Sequence, residues 1–130
     1  HDYLIKNTMY DKSLVDDQTI YNLFINKKSV CTGYAKAFSL IMTRLNIPTY
    51  TITGYTDENH AWNIIELEDG FYNIDVTSDD SGDTPIYKYF NINDNMILID
   101  HFKDEMSKKL KYTNGSKYIN TYSTLYEKSK

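Results

Sequence analysis

The chain has a single cysteine, so no disulfide can form within it and the fold must rest on its apolar core. No apolar run approaches the ~20 residues that cross a bilayer as a helix, which argues against membrane insertion. No signal peptide is visible. A basic excess is missing too: 14 Lys and Arg stand against 18 Asp and Glu, for a net charge of -4. The one dense basic run, Lys108-Lys109-Leu110-Lys111, reads as solvated surface, so nucleic acid is not expected as a partner. Repeats and low-complexity linkers are absent, and 130 residues suit one domain spanning 1–130. The chain opens at His1-Asp2-Tyr3 without an initiator methionine. It is therefore expected to be processed, or a piece of a longer protein with flanking domains.

Hydrophobic residues make up 41% of the chain, enough for a globular core. Tyrosine is the outlier, with 13 residues against one Trp. It suits strands and half-buried surfaces, where the ring packs and the hydroxyl stays wet. The spacing predicts a short helix over 2–10. A second is predicted over 17–25, with Ile20, Leu23 and Phe24 on one face and Asp16 or Asp17 as cap. The clearest helix carries Ala35, Phe38, Ile41, Met42 and Leu45 at three- and four-residue steps, and Asn46-Ile47-Pro48 stops it.

Strands are predicted over 49–55, 60–67 and 71–76, the last two joined by the hairpin turn Glu68-Asp69-Gly70. Residues 86–92 and 96–102 read as further strand or loop. Thr113-Asn114-Gly115-Ser116 reads as a turn, with a strand over 117–122 beyond it. A long helix on a mostly antiparallel sheet is an α+β arrangement.

Cys31 lies at the start of the long helix, in Ser29-Val30-Cys31-Thr32-Gly33-Tyr34-Ala35. A helix N-terminus and a nearby imidazolium both lower a thiol pKa, and the first is present by position. Gly33 permits close approach of another backbone or of a substrate. His60 opens one strand and Asp75 lies in its hairpin partner. If Leu67 pairs with Gly70, His60 falls opposite Thr77 and Asp75 becomes its diagonal neighbour on the same face. That carboxylate could hold one ring nitrogen and leave the other aimed at sulfur.

Each residue has a plainer reading beside this one. A lone cysteine at a helix start is as often a small buried hydrophobe. A lone histidine at a strand start is more often structural. An aspartate inside an apolar strand is rarer, because burial without a partner is costly. The three in order favour a catalytic set. Asp79 and Asp80 are rival carboxylates past the strand. One cysteine and the scattered His1, His60 and His101 lack metal-ligand spacing, so no metal is expected. The acidic Asp79-Asp80-Ser81-Gly82-Asp83 loop does not follow a calcium-ligand pattern and reads as a solvated turn.

The cysteine segment, Gly54, His60-Ala61-Trp62-Asn63 and Tyr72-Asn73-Ile74-Asp75-Val76-Thr77 together resemble the core of the microbial transglutaminase-like superfamily. Tyr89-Phe90-Asn91 and Asp100-His101 resemble its later segment. The resemblance implies a papain-like α+β fold, a central helix carrying the cysteine and a sheet carrying the histidine and aspartate. It implies Cys31 as nucleophile, His60 as base and Asp75 as orienting carboxylate. Ser78 and Ser81 stand where many relatives have Trp and Pro.

The expected activity is acyl transfer on peptide or protein amides through a thioester, as a peptidase, amidase or crosslinking transglutaminase. No cofactor is needed for it. Gly33, Tyr34 and Trp62 are expected near the substrate cleft, although core packing suits Trp62 equally well. The resemblance also implies a bacterial, extracellular or cell-surface protein. The alternative from another class is a non-catalytic module of the same fold that binds peptide or glycan at the cell surface.

Overall fold

The structure is a computed structural model that describes residues 1–14, 18–109 and 113–119. Its centre is the 14-residue helix α2 (Cys31–Arg44), preceded by α1 (Asp2–Asn7) and by the two-residue strands β1 (Met9–Tyr10) and β2 (Lys28–Ser29), which pair in parallel. Helix α2 packs on a four-stranded sheet of β3 (Thr49–Tyr55), β4 (Asn59–Leu67), β5 (Gly70–Ile74) and β6 (Phe102–Lys103), in the order β5-β4-β3-β6. All the pairings in that sheet are antiparallel. The short helices α3 (Val76–Asp79) and α4 (Asp94–Ile97) follow β5. The fold is α+β, as one long helix followed by antiparallel strands predicts.

Each face of the sheet builds its own core. On one, Ile65, Tyr72 and Ile74 meet Tyr34, Ala37 and Phe38 of α2 together with Leu4 and Leu23. On the other, Trp62 and Ile64 pack with Ile52, Ile92 and Ile97. Alternation along β4 produces this division, since adjacent residues on a strand point to opposite faces. The buried stripe of α2 is rotated slightly from the predicted one. Tyr34 and Ala37 are fully buried, whereas Leu45 is 61% exposed beyond the last turn. Asn46, with φ 61, turns the chain out in the left-handed conformation that Asn tolerates.

The hairpin register agrees with the turn-based expectation, running from Leu67↔Gly70 to Asn63↔Ile74. The third predicted strand ends earlier than expected, at Ile74. Asp75 is instead the N-cap of α3, its carboxylate accepting from the Ser78 N–H. The first predicted helix stops at Asn7 and yields to β1. In the second, only the later part is regular, a π-helical turn at Asn22–Asn26. The proposed caps Asp16 and Asp17 lie outside the described residues, and the Thr19 hydroxyl accepts from the Asn22 N–H. Residues 86–92 form a loop with one bridge, Asn73↔Ile92, and 96–102 contribute mainly to α4 and a turn. Residues 117–119 form a turn rather than a strand, and 120–122 lie outside the described residues.

Candidate active site

Cys31 is the first residue of α2, where backbone N–H groups have no carbonyl one turn back to bond. His60 is the second residue of β4 and pairs with Gly54. Its side chain lies on the Trp62 face of the sheet, the two rings 6.1 Å apart and nearly parallel. The thiol reaches it because the N-terminus of α2 abuts this end of the sheet, so His60 and Cys31 interact across the strand end. His60 Nε2 stands 2.7 Å from Asp75 Oδ2, which leaves Nδ1 for the sulfur side. Cys31 and His60 both border a cleft of about 840 Å³, walled also by Tyr10, Gln18, Thr53, Tyr55 and Glu58.

The electrostatics favour an ion pair. Burial, the strongest influence on Cys31, raises its thiol pKa. The His60 hydrogen bond and charge, the Ala61 backbone N–H and the Thr32 hydroxyl outweigh it, and the net shift is downward. Burial likewise pulls His60 down. Its bonds to Asp75 and Cys31, with the charges of both, raise it to about 10. Burial pushes Asp75 up, but donors from His101, His60 and Ser78 hold it below the ordinary carboxylate range. Both shifts run in the direction of a thiolate facing an imidazolium backed by a carboxylate. Such a set can attack a carbonyl and deliver a proton to a leaving group.

The three expected cleft residues are elsewhere. Tyr34 is fully buried, its hydroxyl donating to Asp80 at 2.7 Å with the Thr8 carbonyl 3.3 Å away. Trp62 is 1% exposed, with its indole N–H donating to Asn73 Oδ1. Both are core residues because both faces of β4 are covered. Gly33 serves packing: a Cβ there would lie 1.8 Å from Ser29 Oγ, a side chain sealed beneath the helix start. Gly54 has the same kind of role. A Cβ would lie 2.0 Å from the Phe102 carbonyl oxygen, so glycine lets β6 close the sheet beside the cleft.

The rival carboxylates hold the frame. Asp80 accepts from Tyr34, and Asp79 accepts from His1 and from the Tyr89 N–H. Three contributors, Ser78, His101 and Asp100, were named from the sequence, chiefly through the family resemblance, and were given no role at the site. Ser78 donates to Asp75 from both its N–H and its hydroxyl. His101 Nε2 stands 2.7 Å from the same Asp75 oxygen, and Asp100 stands behind His101. Spacing along the chain could not reveal His101, which lies 26 residues from Asp75. Among the described residues, His60, Asp75 and His101 do bring ligand atoms within 4.8 Å of one another, which their separation in sequence concealed. The two nitrogen–carboxylate separations of 2.7 Å are hydrogen-bond lengths. Tetrahedral zinc ligands would stand roughly 3.3 Å apart. This set fits shared protons better than a metal ion.

A family profile described as the transglutaminase-like superfamily matches residues 1–76, more than half of the chain and a stretch that contains Cys31, His60 and Asp75. No curated protein sequence matches the chain. Among solved structures, one of a TGase superposes with a TM-score of 0.52 and 15% identity, over 77% of this chain and 28% of that one. Another is from Cytophaga hutchinsonii, where the protein is provisionally described as a cysteine protease. It superposes with a TM-score of 0.57 and 17% identity, over 88% of this chain and 38% of that one. At these identities the likeness is one of fold, and this chain spans less than two thirds of either structure's length. The chain belongs to the transglutaminase-like superfamily.

Proposed function

We propose that the domain is a cysteine-dependent acyl-transfer enzyme acting on peptide or protein amides. The observation that carries this reading is a thiol and an imidazole facing each other in one open cleft, with a buried carboxylate 2.7 Å behind the ring. Cys31 thiolate attacks the amide carbonyl carbon, and the carbonyl oxygen takes the negative charge. The Cys31 backbone N–H stabilises that charge as first oxyanion donor. Gln18, which borders the same cleft, is the candidate for the second. His60 gives its proton to the departing amine as the carbon–nitrogen bond breaks, leaving a thioester. Water resolves the thioester to an acid, with His60 as base, and restores the thiolate and imidazolium. A primary amine in place of water forms a new amide and makes the reaction a crosslink.

Intact mass spectrometry with candidate peptides, in the presence and absence of a primary amine, tests the reading. A trapped adduct on Cys31 supports it, and the amine-dependent product identifies the acceptor. Peptide binding that persists in Cys31→Ala, with no adduct in the parent protein, would favour the non-catalytic module. Placement outside the cell or on its surface belongs to the same proposal and rests on resemblance alone.

A further inference from the structure

His101 is 1% exposed, yet it is no ordinary core residue. Its two ring nitrogens each meet a carboxylate: Nε2 stands 2.7 Å from Asp75 Oδ2, and Nδ1 stands 2.7 Å from Asp100 Oδ1. Asp75 Oδ2 thus receives His60, His101 and the Ser78 hydroxyl at once, at 2.7, 2.7 and 2.6 Å. Behind Asp100 stand the Tyr89 hydroxyl, donating at 2.5 Å, and the Lys88 ammonium at 3.7 Å. The His101 ring is further held by edge contact with Trp62 at 5.1 Å, and by Tyr89 at 4.8 Å. Its backbone N–H bonds to the Ile97 carbonyl at the end of α4. The next two residues form β6, which closes the sheet beside the cleft.

This is a continuous chain of polar groups: Tyr89, Asp100, His101, Asp75, His60, Cys31. A carboxylate oxygen can accept two or three donors, and each one fixes its direction further. Without His101, the Asp75 side chain would be oriented by Ser78 and by the ring it is supposed to orient. We propose that His101 is a positioning residue for the site, donating to Asp75 so that the carboxylate stays turned toward the His60 ring, with Asp100 and Tyr89 anchoring His101 in turn. It touches no substrate; it acts through Asp75 and His60 on the thiol. The proposal rests on the acyl-transfer reading of Cys31 and His60, and adds a fourth side chain with a distinct duty.

The experiment is the pH dependence of Cys31 alkylation by iodoacetamide between pH 4 and 10, with folding followed by circular dichroism. In the parent protein the acid limb is expected below that of an ordinary thiol. His101→Phe removes the donor and is expected to move that limb upward, slowing alkylation at pH 6 about tenfold. His101→Gln keeps a donor and is expected to stay closer to the parent. Asp100→Ala, at a side chain 41% exposed, removes only the anchor and is expected to give a smaller upward shift. If His101→Phe fails to fold, Asp100→Ala still decides, because a merely structural ring would leave the thiol profile of the folded protein unmoved. An activated Cys31 whose acid limb ignores these substitutions overturns the positioning role alone. An inert Cys31 in the parent protein overturns the acyl-transfer reading and this inference with it.

Discussion

Two histidine–aspartate pairs in this molecule look alike at first and differ in what they can do. His60 stands 2.7 Å from buried Asp75, and His1 stands 2.9 Å from equally buried Asp79. The second nitrogen makes the difference. That of His1 lies 2.6 Å from Asp2 Oδ1, so both of its nitrogens are bound to carboxylates, while the ring packs against Tyr87 and Phe90. The second nitrogen of His60 faces a thiol in an 840 Å³ cleft. The aspartates diverge as well. Burial raises both, but Asp75 gathers enough donors to end below its ordinary value, whereas Asp79, with His1 and one backbone N–H, ends above it. What suits a pair to catalysis is the free end of the imidazole and the company the carboxylate keeps, not the separation within the pair.

The sharpest way to break that contrast is to remove the thiol. Cys31→Ala is expected to abolish labelling and acyl transfer, with the melting temperature nearly unchanged; a large loss of stability would return Cys31 to the role of a buried hydrophobe. Asp75→Asn is expected to lower turnover by roughly 10³-fold and to slow alkylation at pH 6 at least as much as His101→Phe without abolishing it, because the carboxylate orients rather than reacts. His60→Ala is expected to slow iodoacetamide labelling at pH 6–7 by roughly 10²-fold. His1→Ala should leave that rate alone and reduce stability by about 1–3 kcal/mol in a denaturant titration, since Asp79 loses a buried partner. Equal slowing by both histidine variants would erase the distinction between the pairs.

The pH profile supplies a further check. His60 is raised from 6.5 to about 10, with burial opposing and Asp75 and Cys31 prevailing, while Cys31 is lowered from 9.0. Labelling should therefore rise as pH climbs through the depressed thiol value. Acyl transfer should fall as pH passes about 10, where the proton for the leaving amine is lost. Stability follows the same signs. The His60 contribution is complete below 6.5 and lost as pH rises through about 10. The Asp75 contribution is present above 3.8 and lost as pH falls through its lower folded value. The smallest expected effect is that of Trp62→Phe, about 1–2 kcal/mol, from leaving the Asn73 carbonyl without its donor.

Helix α2, the β4–β5 hairpin and the order of Cys31, His60 and Asp75 were legible because each rests on local pattern. A 3.6-residue stripe, a Glu-Asp-Gly turn and strand parity need only neighbouring residues. Parity also put His60 and Asp75 on one face, although Asp75 leaves the strand to cap α3. The two-residue strands β1, β2 and β6 left no such pattern, since their pairing partners are distant in the chain. The cleft walls escaped for the same reason. Tyr10, Thr53, Glu58 and Asp104 come from separate segments, whereas Tyr34 and Trp62, close to the motifs in sequence, turned inward.

The sequence alone determined which chemical groups are available and which elements carry them, because periodicity and turn residues act over a few positions. How the thiol meets its histidine, and which carboxylate gathers donors from His60, His101 and Ser78, was decided only by the packing of the α2 N-terminus against the end of β4 and by the return of the chain through His101. Those contacts join residues tens of positions apart, and no local rule specifies them.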